Sequence, residues 1–114
     1  MVASGPKTVV ASGAPRRPQF VIRLFPHRGI GLLTSPTPEE RTIMTAHRAY
    51  VEMLASRGHL VLAGLSEDTN LDGLVIVEAD SEQEARRLMD NDPFVLGGLV
   101  RAELRPFRTV LARA

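Results

Sequence analysis

The 114-residue chain predicts an α+β domain of the ferredoxin-like kind, ordered β-α-β-β-α-β. Three observations carry that reading. Apolar and polar residues alternate in a run near residue 20, the mark of a half-buried strand. Two helix starts are written in capping chemistry, at Thr37 and at Ser81. Two further apolar runs, Leu60–Leu65 and Leu74–Ala79, are too close together for anything but an antiparallel pair. Such an order gives a four-stranded antiparallel sheet with two helices on one face.

The first strand is Gln19–Pro26. Phe20, Ile22 and Leu24 point to one face and Val21, Arg23 and Phe25 to the other, and Pro26 ends it. A glycine-containing loop, His27–Pro36, follows. Thr37 can cap the first helix, Pro38 suits its first position and Glu40 completes a capping box. Its apolar stripe is Ile43, Met44, His47, Tyr50, Val51, Leu54 and Ala55, at helical spacing, and Gly58 supplies the stop after Arg57. Ser66–Asp72 is a polar turn between strands two and three. Ser81 and Glu84 form a second capping box, on a helix that turns Ala85, Leu88 and Met89 inward and ends by Asp92-Pro93. A last strand covers Leu99–Leu111, where Pro106 implies a bulge or an edge.

The domain is expected to occupy residues 19–114. Residues 1–18 hold three prolines, two glycines, Lys7, Arg16 and Arg17 and no acid, so they read as a flexible basic arm. An alternative is that Thr8–Ala11 adds a short edge strand. Beyond the arm the chain is lysine-free and mildly acidic.

Composition excludes several functions. With no cysteine there is no disulfide framework, thiolate metal site or cysteine nucleophile. A formal charge of +1 and an aromatic fraction of 4% give no reason to expect nucleic acid. No apolar run approaches the roughly 20 residues that span a bilayer. No secretory signal is visible, so a cytoplasmic location is expected. His27, His47 and His59 lack metal-ligand spacing, so no metal is expected.

Five residues remain as candidates for chemistry. His47 lies inside the apolar stripe of the first helix, where it is either a hydrogen-bonded structural histidine or a general acid–base. Asp92 is either a structural helix stop or, through the topology, a neighbour of His47. A carboxylate beside an imidazole fixes its tautomer and strengthens it as a base. Arg23 sits on the sheet face away from the helices and either pairs with Glu78 or Glu103 or meets an anionic ligand. His27 and Ser66 are candidates for lining a pocket, Ser66 as a hydrogen-bonding group. Val21 and Phe25 make that second face too apolar to leave wet, so a homodimer packed through its sheets is expected.

Four stretches carry a family resemblance: FVIRLF, AHRAYVEMLASRGHLVLAG, LVIVEADSEQEARRLMDNDPF and a terminal RPF. Together they resemble the YciI-like (YCII-related) family over about residues 19–109. The resemblance implies a dimeric α/β barrel of ferredoxin-like subunits, with an active site on a histidine–aspartate pair that falls on His47 and Asp92. One branch of that family is similar to dehydrochlorinases, and related dimeric barrels include isomerases and cofactor-free monooxygenases. The chain departs from the family in its N-terminal arm and in Gly64-Leu65-Ser66, where many relatives carry Gly-Pro. The expectation is a small cofactor-independent lyase or isomerase that moves a proton on an enolisable or phenolic small molecule. The alternative is a non-catalytic small-molecule-binding or accessory protein of the same barrel class.

Overall fold

Strand alternation sets the centre of the molecule. The computed structural model describes residues 8–10 and 17–113. In it Thr8–Val10 forms β1 and Gln19–Pro26 forms β2. Phe20, Ile22 and Leu24 are buried and Arg23 between them is exposed, so β2 has one core face and one open face. It pairs antiparallel with β4 (Gly73–Glu78) on one side and β5 (Val100–Phe107) on the other. β4 pairs in turn with β3 (Leu60–Leu65) across a register shift between Leu60 and Leu62. The order β3-β4-β2-β5 leaves β3 and β5 at the edges. Pro106 lies on edge strand β5, where its missing N–H costs no ladder bond.

The helices cover the core face. Between β2 and the long helix is a single turn, α1 (Gly31–Thr34), where the sequence predicts only loop. It is pinned by Leu32, 2% exposed, and by the Ile30 N–H donating to the Thr69 carbonyl at 2.8 Å. The long helix α2 (Pro38–Ser56) begins with both halves of the expected capping box. Glu40 also takes the guanidinium of Arg28 at 2.7 Å. The stripe of α2 faces the sheet as expected except at its end: Ala55 is exposed, and Met53 packs against the core instead. Gly58, at φ +79°, closes α2, with the His59 N–H donating back to the Leu54 carbonyl. The imidazole of His59 bonds the Glu78 carbonyl, a structural role.

Helix α3 (Glu82–Asp90) is capped by Ser81, whose hydroxyl accepts from the Glu84 N–H. The box expected there is only half formed. The Glu84 carboxylate turns instead to the Asp80 N–H at 2.6 Å and to Arg17 at 3.5 Å. Arg17 also pairs with Asp80, and the Pro18 carbonyl accepts from the Ala79 N–H. The end of the basic arm is therefore attached to the domain. The rest of the expected flexible arm, residues 1–7 and 11–16, lies outside the described residues. Thr8–Val10 forms the short strand of the alternative, but not on the main sheet: it pairs antiparallel with β6 (Leu111–Arg113) in a separate two-stranded ladder.

The single last strand expected over Leu99–Leu111 is thus divided. The buried Gln19 side chain captures both the backbone N–H and the hydroxyl of Thr109, in the gap that separates β5 from β6. Phe20, Ile22, Leu24, Val75, Val77, Val100, Leu54, Ala85 and Met89 form the core between sheet and helices. The open face carries Val21 opposite Ile76, Arg23 opposite Leu74, and Leu62 and Gly64 on the neighbouring edge. Among the described residues no helix is long and apolar enough to cross a membrane.

A candidate acid–base site between two helices

Asp92 owes its place to the proline that follows it. A residue before proline is driven out of the helical region, and Asp92 has φ −64°, ψ 129°. Helix α3 therefore ends at Asp90, and Asp92 becomes the N-cap of a further turn, α4 (Pro93–Leu96). Its Oδ1 accepts from the Phe94 N–H at 2.9 Å. That bond turns the carboxylate toward α2. Helix α2 meets it with His47, one turn beyond Ile43 and one before Tyr50.

The two side chains touch. His47 Nδ1 lies 2.7 Å from Asp92 Oδ1 and 3.0 Å from Oδ2. A carboxylate only accepts, so the contact places the proton of a neutral ring on Nδ1 and the lone pair on Nε2. Asp92 is almost wholly buried, at 8% side-chain exposure, and His47 retains 19%. Among the described residues Nε2 has no hydrogen-bond partner, and no unpartnered side-chain nitrogen or oxygen is buried. Nε2 consequently reaches solvent. The Phe94 ring stacks on the imidazole, with centroids 3.9 Å apart and 14° between planes. One edge of the imidazole is held by a carboxylate, one face by an aromatic ring, and the basic nitrogen is open.

Two neighbours complete the surroundings. The Tyr50 hydroxyl donates to the Leu88 carbonyl at 2.7 Å, tying α2 to α3. Burial, and after it the charge of Asp92, push the Tyr50 phenol above its ordinary range. Gly97 lets α4 come this close. A Cβ there would stand 2.7 Å from Ile43 Cδ1 and 2.9 Å from the Pro93 carbonyl oxygen.

The other candidates fall elsewhere. Arg23 makes no ion pair with Glu78 or Glu103 among the described residues. Glu103 is taken by Arg101, and the Glu78 carboxylate accepts from the Gln19 amide. Arg23 instead lies 4.8 Å from the Phe25 ring centroid, on the open face of the sheet. There it lines a cavity of about 360 Å³ together with Ser66. His27 does not join them. It is exposed, and its backbone N–H is spent on the Leu99 carbonyl. The Ser66 hydroxyl donates to Asp68 and accepts from the Asp72 N–H, so it holds the β3–β4 turn and lacks the base a nucleophile needs. Neither His47 nor Asp92 borders this cavity.

Phe94 and Gly97 are site residues that the sequence reading missed. The signal for Phe94 was present: Asp-Pro reads as an N-cap followed by the first helical residue, which fixes the second residue, Phe94, beside the carboxylate. Gly97 gave no signal, because its need for space depends on Ile43, far away in sequence.

Known proteins supply a family for the chain. No curated protein matches the chain. Among solved structures it is similar to 5-chloro-2-hydroxyhydroquinone dehydrochlorinase (TftG) from Burkholderia phenoliruptrix AC1100, in complex with 2,5-dihydroxybenzoquinone. That similarity has a TM-score of 0.61 at 23% identity, over 78% of this chain and 92% of that one. A second, SnoaB, a cofactor-independent oxygenase from Streptomyces nogalater, gives a TM-score of 0.44 at 16% identity, over 82% of this chain and 92% of the other. The first likeness establishes a shared α+β fold. Residues 21–108 match the YCII-related domain, which takes in β2 through β5 with both His47 and Asp92, and the chain belongs to that family.

Proposed function

We propose that the protein is a small cofactor-independent lyase or isomerase in which His47 is the acid–base group and Asp92 its positioning partner. The observation that carries this reading is the two-oxygen contact of Asp92 on Nδ1, with Nε2 left open. In the proposed step Nε2 takes a proton from a carbon beside a carbonyl, or from a phenol. The new imidazolium is stabilised by the Asp92 carboxylate. The electron pair left on the substrate either expels a leaving group or is reprotonated by the same nitrogen at another carbon. The first outcome is a lyase reaction and the second an isomerisation. Phe94 keeps the ring in plane throughout. The solved relative's dehydrochlorinase activity supports the lyase branch, and phenolic or enolisable small molecules are the substrate class to screen.

The proposal includes a ferredoxin-like homodimer closed through the open sheet faces. Val21, Phe25, Leu74 and Ile76 are only partly covered there, and Leu62 is 52% exposed. A second sheet would cover these side chains in a dimeric barrel.

A screen of such substrates, followed by His47→Ala and Asp92→Asn, tests the chemistry. Each change is expected to lower kcat by about 10²–10⁴, the usual worth of general acid–base help. Turnover indifferent to both changes overturns the assignment. The competing reading is a non-catalytic binding protein. It is favoured by the position of the open-face cavity, which His47 does not border. Ligand binding with no turnover of any screened substrate would establish it.

A further inference from the structure

The open face of the sheet has a charge pattern that the acid–base site does not use. Three guanidiniums, Arg23, Arg101 and Arg105, stand there on β2 and β5. In register with Arg23 is a single carboxylate, Glu103, already bound by Arg101. Arg101 and Arg23 also lie 4.2 and 4.8 Å from the Phe25 ring centroid. Arg23 is the guanidinium that lines the cavity and has no carboxylate within ion-pair distance among the described residues.

The cavity beside Arg23 is an open cleft with polar and apolar sides. Leu74 gives it an apolar wall, and Asp72 supplies a carboxylate two residues before Leu74, the ladder partner of Arg23. Arg23 and Asp72 line the same space without pairing. Gly64 borders that open space, and a Cβ there would meet no atom within 4 Å. The wall formed by the β3–β4 turn is fixed in advance. Asp68 Oδ1 accepts from the Ser66 hydroxyl and from the Asn70 and Leu71 N–H groups, and Leu71 is held at φ +56°, only 8% exposed. A non-glycine residue kept in the left-handed region is strained, and the surrounding bonds must hold it there.

We infer that this cavity is a second ligand site, for a small organic carboxylate whose far end carries a hydrogen-bond donor. The carboxylate meets the Arg23 guanidinium, the donor meets Asp72, and the apolar body lies along Leu74. A volume of about 360 Å³ suits a single-ring molecule. The inference does not depend on the acid–base proposal, because the cavity is on the sheet face opposite the helices. A second copy covering the open face would roof the site.

Isothermal titration of the full-length chain with 4-hydroxyphenylacetate tests it. Saturable binding is expected, with phenylacetate (no donor) and tyramine (no carboxylate) each about tenfold weaker or worse. Arg23→Gln should weaken binding by about tenfold or more, since the charge-assisted contact is lost. Gly64→Val should abolish binding while the chain stays folded, as read by circular dichroism. His47→Ala should bind within about twofold of wild type, as expected of a site it does not touch. Absence of saturable binding to the wild-type chain overturns the inference. So does undiminished binding by Arg23→Gln or by folded Gly64→Val, and so does a loss in His47→Ala that matches the loss in Arg23→Gln. Turnover that fails in His47→Ala while binding survives separates the two sites.

Discussion

The Tyr50 hydroxyl ties two helices with one bond, and its ionisation is the clearest single-residue handle on the site. Below pH 10 both the folded and unfolded phenols are protonated, so the bond to Leu88 contributes in full. Above that value the unfolded chain ionises first, because burial and Asp92 hold the folded phenol above its ordinary value of 10.0. Stability is therefore lost as pH rises from about 10 through the raised folded value. Tyr50→Phe should cost about 1 kcal/mol at neutral pH, the worth of one hydrogen bond, and the gap to wild type should narrow in alkali. Urea denaturation at both pH values checks this, and a gap that stays constant overturns it. Geometry fixes the contact between His47 and Asp92, and kinetics alone assigns their work.

The elements show which local signals governed and which gave way. The start of α2 is secured twice, by the capping box and by Arg28 on Glu40. Arg28 first, and the Thr37 N–H second, hold the Glu40 carboxyl below its usual 4.5. Its contribution to stability is complete above pH 4.5 and disappears as pH falls through the lowered folded value. Glu40→Gln should thus be less stable than wild type at neutral pH and equal to it at the acid end of that window, as read by chemical denaturation across the range. Packing of α4 against α2 is a matter of space. Gly97→Ala places a methyl group against backbone at Pro93 and should destabilise by about 1–3 kcal/mol, the usual cost of overpacking. Gly64→Ala, with open space around it, serves as the control and should leave the melting temperature unchanged.

At the scale of the whole molecule the open sheet face is the unresolved demand on the fold. Val21 and Ile76 pair at its centre with only partial cover, and Leu62 stands exposed beside them. If a second copy supplies the cover, the chain sediments as a dimer. Val21→Asp should then shift it to the monomer, because a charge buried without a partner between two sheets costs several kcal/mol. A wild-type chain that sediments as a monomer at micromolar concentration would refute the proposed barrel. The β1–β6 ladder is the other feature of this scale. It joins residues from near both ends of the chain and stands apart from the main sheet.

Sequence alone determined the order of the six main elements, β2, α2, β3, β4, α3 and β5, because each signal was local. Alternation fixed β2 and which of its faces is buried. Thr37-Pro38 and Ser81 fixed two helix starts, and Asp92-Pro93 fixed a stop. The candidate pair was legible as well, since the topology brings the end of α3 toward the middle of α2. The distances were not legible, nor was the stacking of Phe94, nor the separation of Arg23 and Ser66 from His27. Glu84 left its own box for Asp80, Arg23 lost Glu103 to Arg101, and Gln19 took Thr109 where the last strand divides. Some of the winning partners are near in sequence, as Asp80 is to Glu84 and Arg101 to Glu103, and some are far, as Thr109 is to Gln19. Local periodicity settles which residues are buried, but the pairing of polar groups is a competition among everything within about 3 Å, and only the tertiary structure says what is there.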